Sequence, residues 1–300
     1  MFTSPRDYSS ISPSATGLLL AKGLTQIPYA AEAAQLIWGG QRYQELAEQA
    51  KTEIFLKRLI HFENRYWTVD ELLQLTGIRN ILEIGAGFSF RGLAMTADAS
   101  ISYIDSDLPE VIERKKKIIA HLVAQHQLER DNLALTTLNA LDGQAFLQQL
   151  SLLPEGPVVI LNEGLLVYLN ELEKKKLCAI VHNALMERGG YWITGDIYIR
   201  RPGNGEEEIP PNDKTAQFLA SHHVEENKFS SFEAAAAFFE HCGFAVEKKL
   251  VRTARPLDGL ALLKQYYPSA AESTSGYRHI RETWLLKAVF TGAPTGSPAV

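Results

Sequence analysis

Four carboxylates in the middle of the chain, Asp105, Asp107, Asp142 and Glu163, follow a glycine turn at Glu83-Ile84-Gly85-Ala86-Gly87. An apolar run that ends in two glycines and passes into a helix lets backbone approach a ligand closely, because neither glycine raises a side chain against it. A dinucleotide uses such a turn for its pyrophosphate and normally adds a third glycine three residues after the second. That position is Phe90 here, and the next glycine is Gly92. A nucleoside that carries a sulfonium and an amino-acid tail in place of phosphates needs carboxylates instead, one for the ribose and others for its positive charge.

The chain supplies acids where such a ligand needs them. Asp105 ends the apolar run Ile101 to Asp105 and Asp107 follows it, about twenty residues past the turn, where an acid reaches ribose hydroxyls. Asp142-Gly143 follows the next run and can meet an adenine amino group, and Glu163 follows the one after that. Acids at successive strand tips point to S-adenosylmethionine over NAD(P), although the ribose acid alone is common to both. Each acid also has a plainer reading: Asp107 and Asp142 suit helix caps, and Glu83 suits a bond to the turn's amides or to a nearby basic side chain.

These tips require strands that end together. Apolar runs at Asn80 to Ile84, Ile101 to Asp105, Leu133 to Leu138, Val158 to Leu161 and Tyr191 to Ile197 are each followed by a helical pattern. The alternation predicts an α/β fold with a mainly parallel sheet and helices on both faces. Open sheets of this kind bind ligands beyond the carboxyl ends of their strands. Beyond a polar loop from Arg200 to Asp213 come a helix from Ser231 to His241 and strands at Phe244 to Val251 and Thr283 to Phe290, which bring the sheet to seven strands. Residues 1–78 read as helical throughout, with segments at Ala30 to Ile37, Tyr43 to Phe62 and Val69 to Leu75. They are expected to form a cap over the acceptor site, before a core over 79–290 and a tail over 291–300 that is expected to be disordered. Removing residues 1–40 is expected to spare the sheet and abolish acceptor selection.

The 300 residues carry 46% hydrophobic content and a formal net charge of −5, with both signs mixed along the chain. That is ample for a packed core and leaves no basic footprint for nucleic acid. Two cysteines, Cys178 and Cys242, without metal-ligand spacing suit a reducing, cytoplasmic setting and no structural metal. Lys22 soon interrupts the short run Leu18-Leu19-Leu20, so neither a signal peptide nor a membrane partner is expected.

Three blocks resemble the leucine carboxyl methyltransferase family, which includes polyketide-associated bacterial O-methyltransferases. They are Ile81-Leu82-Glu83-Ile84-Gly85-Ala86-Gly87 with Arg91 downstream, Tyr103-Ile104-Asp105-Ser106-Asp107-Leu108-Pro109-Glu110-Val111-Ile112 with the basic run Arg114 to Lys117, and Asn162-Glu163-Gly164-Leu165-Leu166-Val167-Tyr168-Leu169. Ser14-Ala15-Thr16 is similar, more loosely, to the family's cap. The resemblance implies a Rossmann-like methyltransferase fold whose last strand is antiparallel, and donor contacts at Gly85, Asp105 or Asp107, Asp142 and Glu163. It also implies an N-terminal arginine at the donor's carboxylate. Arg65 in Asn64-Arg65-Tyr66 matches that segment better than Arg58 does. Where the family has Asp-Thr before its arginine, this chain has Ser89-Phe90.

Methyl transfer from a sulfonium is an in-line displacement that needs no metal. A carboxylate acceptor arrives ionised, whereas a small-molecule hydroxyl calls for a base. Both acceptor classes stay open. The candidate bases are His61, His182, His222 and His223. An adjacent pair on a helix points two ways, so only one of His222 and His223 can enter a pocket. Tyr168 is a candidate for orienting acceptor or donor.

Overall fold

A computed structural model describes residues 12–200, 214–272 and 279–290. The predicted disordered tail over 291–300 and nearly all of the predicted polar loop lie outside the described residues. Four helices open the chain: α1 (Ser12–Lys22), α2 (Ala30–Trp38), α3 (Gly40–Gln49) and α4 (Glu53–Thr76). The predicted helix from Tyr43 to Phe62 is interrupted between α3 and α4, where the Thr52 hydroxyl caps α4 by accepting from the Phe55 amide at 3.3 Å. From that cap α4 runs unbroken for 24 residues, absorbing the separate segment predicted at Val69 to Leu75, until Gly77 ends it at φ 63°.

The core alternates β1 (Asn80–Ile84), α5 (Arg91–Met95), β2 (Ser102–Asp107), α6 (Pro109–His126), β3 (Leu133–Thr137), α7 (Gly143–Leu150), β4 (Val158–Asn162), α8 (Glu171–Arg188) and β5 (Gly190–Tyr198). It continues with α9 (Lys214–Ser221), α10 (Phe232–His241), β6 (Phe244–Leu250), α11 (Asp258–Tyr266), α12 (Pro268–Glu272) and β7 (Arg281–Ala288). The seven strands lie in the order β3-β2-β1-β4-β5-β7-β6. β1 to β5 are parallel, and β7 enters antiparallel between β5 and β6. Neighbours on both sides of β1 lie on chains wound in opposite directions, so the ligand crevice falls at the tips of β1 and β4.

Side chains alternate across the sheet. Leu82, Ile84, Val158, Ile160 and Trp192 face α8 and α10, where Phe239 and Trp284 complete the core. Ile81, Val159, Leu161 and Ile193 face the other way, against Val69, Leu72 and Leu73 of α4. The last helix of the cap therefore covers one face of the sheet. The same parity sends Glu83, Asp105 and Glu163 toward α4, since each lies an even number of residues from a neighbour on that face. At the other end of the sheet, Gly190 opens β5 at φ 105°, and a Cβ there would sit 1.9 Å from the Val158 carbonyl oxygen. Gly190→Ala combines a disfavoured dihedral with a backbone clash, so it should lower stability by more than about 3 kcal/mol, read from its urea midpoint.

Candidate active site

The glycine turn has the conformation its residues predict. Gly85 and Gly87 adopt φ 64° and 52°, which a side chain would strain. Asp107, at the end of β2, clamps the turn: its Oδ2 accepts from the Gly87 amide at 2.6 Å and its Oδ1 from the Leu108 amide at 2.7 Å. The helix after the turn, α5, begins only at Arg91 and has five residues. So short a dipole, set back from Gly87, is poorly suited to a pyrophosphate. Ser89 and Phe90, where the family pattern departs, are both buried, and Ser89 Oγ accepts from the Arg91 amide at 3.3 Å.

Beside the turn lies a buried charge cluster drawn from five elements or their ends. Arg91 is its hub, donating to Asp70 at 2.7 Å, Glu83 at 2.9 Å and Glu163 at 2.9 Å while stacking 4.1 Å from the Tyr66 ring centroid. Glu163 also accepts from Lys22 at 2.9 Å and from Arg65 Nε at 3.3 Å. Tyr103 donates to Glu83 at 2.5 Å. Burial would raise the Glu163 carboxyl, but Lys22, Arg65 and Arg91 outweigh it and hold the group well below the ordinary glutamate range. Burial also opposes charge on Lys22 and lowers its pKa, with the two arginines adding to the effect and Glu163 opposing it. The carboxylate is thus fully ionised and surrounded by cations, with Lys22 the least securely charged of them.

The loop that carries Glu163 is itself fastened. Asp196 of β5 accepts from the Gly164, Leu165 and Leu166 amides and from Asn162 Nδ2, at 2.6, 2.7, 3.1 and 2.7 Å. Gly164 takes φ 86°, and a Cβ there would stand 3.3 Å from Arg65 Nη2. Glu163 is therefore aimed by the backbone, and Arg65 fits against a position without a side chain. At the tip of β5 the Tyr198 hydroxyl accepts from Arg65 Nη1 at 3.0 Å and lies 2.8 Å from His61 Nε2.

Of the predicted site residues, the structure brings Arg65, Glu83, Gly85, Gly87, Arg91, Asp107 and Glu163 together. Asp105 departs from its predicted place at a strand tip: β2 runs on to Asp107, and Asp105 lies inside it, fully buried, with the Lys115 ammonium 2.7 and 2.6 Å from its two oxygens. Burial pushes its carboxyl up to about 7 against the pull of Lys115. Its partner on α6 makes it a brace between strand and helix. Asp142 is exposed and caps α7 through the Ala145 amide at 3.0 Å, with Gly143 as the first residue of that helix. His222 and His223 lie in the turn after α9 and not on the helix that the two-way argument assumed, with His223 at φ 52°. His222 is buried, its Nδ1 2.8 Å from the Phe218 carbonyl and its ring edge-on to Tyr168, whereas His223 has a side chain 67% exposed.

Lys22, Asp70, Asp196 and Tyr198 were not singled out from sequence. Lys22 carried a signal, a single charge closing an apolar helix, which also reads as the end of a hydrophobic run. Asp196 and Tyr198 sit in a strand whose apolar pattern hid them.

The sequence model of the leucine carboxyl methyltransferase family matches residues 13–182. A protein of Mycobacteroides abscessus that bears the name S-adenosyl-L-methionine-dependent methyltransferase is 32% identical over 116 residues, 39% of this chain and 37% of the relative. A protein of Mycolicibacterium paratuberculosis with the same name is 27% identical over 135 residues, 43% of this chain and 44% of the relative. The chain spans less than half the length of both. Among solved structures, PigF with SAH superposes with a TM-score of 0.48 at 12% identity, covering 92% of this chain and 69% of that one. The mitomycin 7-O-methyltransferase MmcR superposes with a TM-score of 0.46 at 14% identity, covering 93% and 67%.

Proposed function

The chain belongs to the leucine carboxyl methyltransferase family of S-adenosylmethionine-dependent methyltransferases, and from that premise we propose that it methylates an oxygen of its acceptor, a small-molecule hydroxyl or a carboxylate. One observation carries the reading. Beside a glycine turn, Glu163 stands against Lys22 and Arg65, an opposed pair of charges complementary to the zwitterionic end of the donor. The donor's carboxylate would be held by Lys22 and Arg65 and its ammonium by Glu163, each exchanging a partner it has in this structure for one of the same sign. Gly85 and Gly87 leave backbone room for the chain between sulfur and ribose.

Asp107 suits the ribose. A carboxylate offers about four lone-pair directions, and the Gly87 and Leu108 amides use two of them. Asp142, capped on one oxygen and exposed, and Gly143 suit the adenine edge. Bound, the donor supplies a methyl group made electrophilic by a positively charged sulfur. The chain's part is alignment: Arg65 and Glu163 orient the tail, the turn sets the height of the sulfur, and α1 with α4 keeps water from the reacting line. In this proposal residues 1–78 cover the acceptor and residues 79–290 form the catalytic core. A reducing, cytoplasmic setting is part of the proposal. No helix of the described residues is long and apolar enough to cross a membrane.

Thermal unfolding with S-adenosylhomocysteine tests the reading. At about a hundred times its Kd the ligand adds about 2.7 kcal/mol to native stability, which should raise Tm by roughly 5–10 °C. NAD and NADP should leave it unchanged. Stabilisation by NAD or NADP, with none from S-adenosylhomocysteine, would overturn the proposal.

A further inference from the structure

We propose that the acceptor is a hydroxyl compound and that Tyr198 takes its proton, relayed to His61. The inference rests on the donor reading above and names the substrate class for that site. Tyr198 closes β5 at the ligand edge of the sheet, next to the tip of β4 that presents Glu163. Its hydroxyl is one guanidinium away from the donor side: Arg65 donates to Tyr198 Oη at 3.0 Å and to Glu163 at 3.3 Å. An acceptor beside Tyr198 would therefore lie next to the amino-acid end of the donor.

The hydrogen bonds of Tyr198 specify what it can receive. A phenol has one proton and two lone pairs. Arg65 has no acceptor atom, so it occupies one lone pair. His61 Nε2, at 2.8 Å, takes the phenol's proton when the imidazole is neutral and that nitrogen is bare. One lone pair then remains, and it can accept a hydrogen bond from an incoming O–H. A carboxylate has no proton to give and meets only a repulsive lone pair there.

The step balances without any other reactant. The acceptor's proton moves to Tyr198 Oη as the phenol's own proton moves to His61 Nε2. The acceptor oxygen forms its bond to the methyl carbon, the carbon–sulfur bond breaks, and that electron pair stays on sulfur as the neutral thioether. The positive charge lost from sulfur reappears on the His61 imidazolium, which is half-buried and returns its proton to water. The charged groups around Tyr198 are Arg65 on α4, Arg281 on the adjoining β7 and Asp196 on β5. The two arginines favour negative charge on the oxygens during transfer, and Asp196 opposes it. Burial keeps Tyr198 protonated at rest, with its pKa above the ordinary tyrosine value. Tyr198 thus acts as a conduit, and His61 is the positioning residue behind it that receives the proton.

The test uses the full chain saturated with S-adenosylhomocysteine, which cannot transfer a methyl, and 4-nitrophenol, whose phenolate absorbs in the visible. On the acid side of the free probe's titration, the wild type should raise its ionised fraction by about tenfold and bind 4-nitrobenzoate at least about tenfold more weakly. Tyr198→Phe, which keeps the ring, and His61→Gln should each lose the phenolate signal. In His61→Gln the S-adenosylhomocysteine affinity, which reports an intact fold, should stay within about threefold of the wild type. No phenolate signal with the wild type, a signal that survives His61→Gln, or tighter binding of 4-nitrobenzoate would overturn the relay. A wild type that does not bind S-adenosylhomocysteine would overturn the donor reading instead.

Discussion

Replacing Arg91 with methionine should destabilise the protein by about 3–5 kcal/mol, the range for removing one partner from a buried ionic network. The guanidinium is fully buried and reaches Asp70, Glu83 and Glu163 at 2.7–2.9 Å, so its loss takes a cation from two buried carboxylates and one partly buried one. Methionine fills much of the same volume, which confines the effect to charge and hydrogen bonding. Arg91→Lys should recover little, because one ammonium lacks the fork that meets three carboxylates at once. The deficit should depend on pH in a definite direction. Burial already raises the Asp70 carboxyl against the pull of Arg91, so without the cation its folded pKa lies further above the unfolded value, near 4. A group raised in this way contributes stability below its unfolded pKa and loses it as pH rises through the folded one. The difference between wild type and Arg91→Met should therefore narrow as pH falls toward about 4, measured as urea midpoints across that range. A difference that is constant with pH would mean that packing, and not charge, was lost.

Removing the charge from Glu163 should cost the donor its ammonium partner. Glu163→Gln keeps the shape of the side chain and should weaken S-adenosylhomocysteine by on the order of 10–100-fold in calorimetry, the usual worth of a charge-assisted hydrogen bond. Lys22→Met should have an effect of similar size through the donor's carboxylate. The double substitution should cost clearly less than both together, because Lys22 and Glu163 bond directly at 2.9 Å and each alone leaves the other unbalanced. Lys22 belongs to α1, so the removal of residues 1–40 should weaken the donor as well as acceptor selection. Unchanged affinity in Glu163→Gln, with the protein folded, would take the residue out of the donor site.

Much of the architecture was legible because it depends on local patterns. Strands β1 to β7 lie close to the apolar runs that predict them, and the start of α10 at Ser231 was marked by a hydroxyl that caps it, accepting from the Ala234 amide at 3.1 Å. The break between α3 and α4 was harder to see, since Ala50-Lys51-Thr52 contains neither glycine nor proline, and one hydroxyl bond ends the pattern. Helices α11 and α12 were not anticipated. They are short and are held by tertiary contacts: Glu63 accepts from the Asp258 and Gly259 amides at 2.9 and 2.8 Å across a long stretch of chain. Such a bond leaves no local signature.

By itself the sequence determined the glycine turn, the parallel core and the acids along it, because a positive φ, an alternating face and a helix cap are each encoded within a few residues. Those patterns could mark Asp105, Asp107, Asp142 and Glu163 alike. Only the tertiary structure separated them, since the fate of a carboxylate depends on which charges other elements bring to it. Lys115 claims Asp105, a helix amide claims one oxygen of Asp142, and two backbone amides align Asp107. Lys22, Arg65 and Arg91 converge on Glu163 from positions far apart in the chain, and the proposed donor site rests on that convergence.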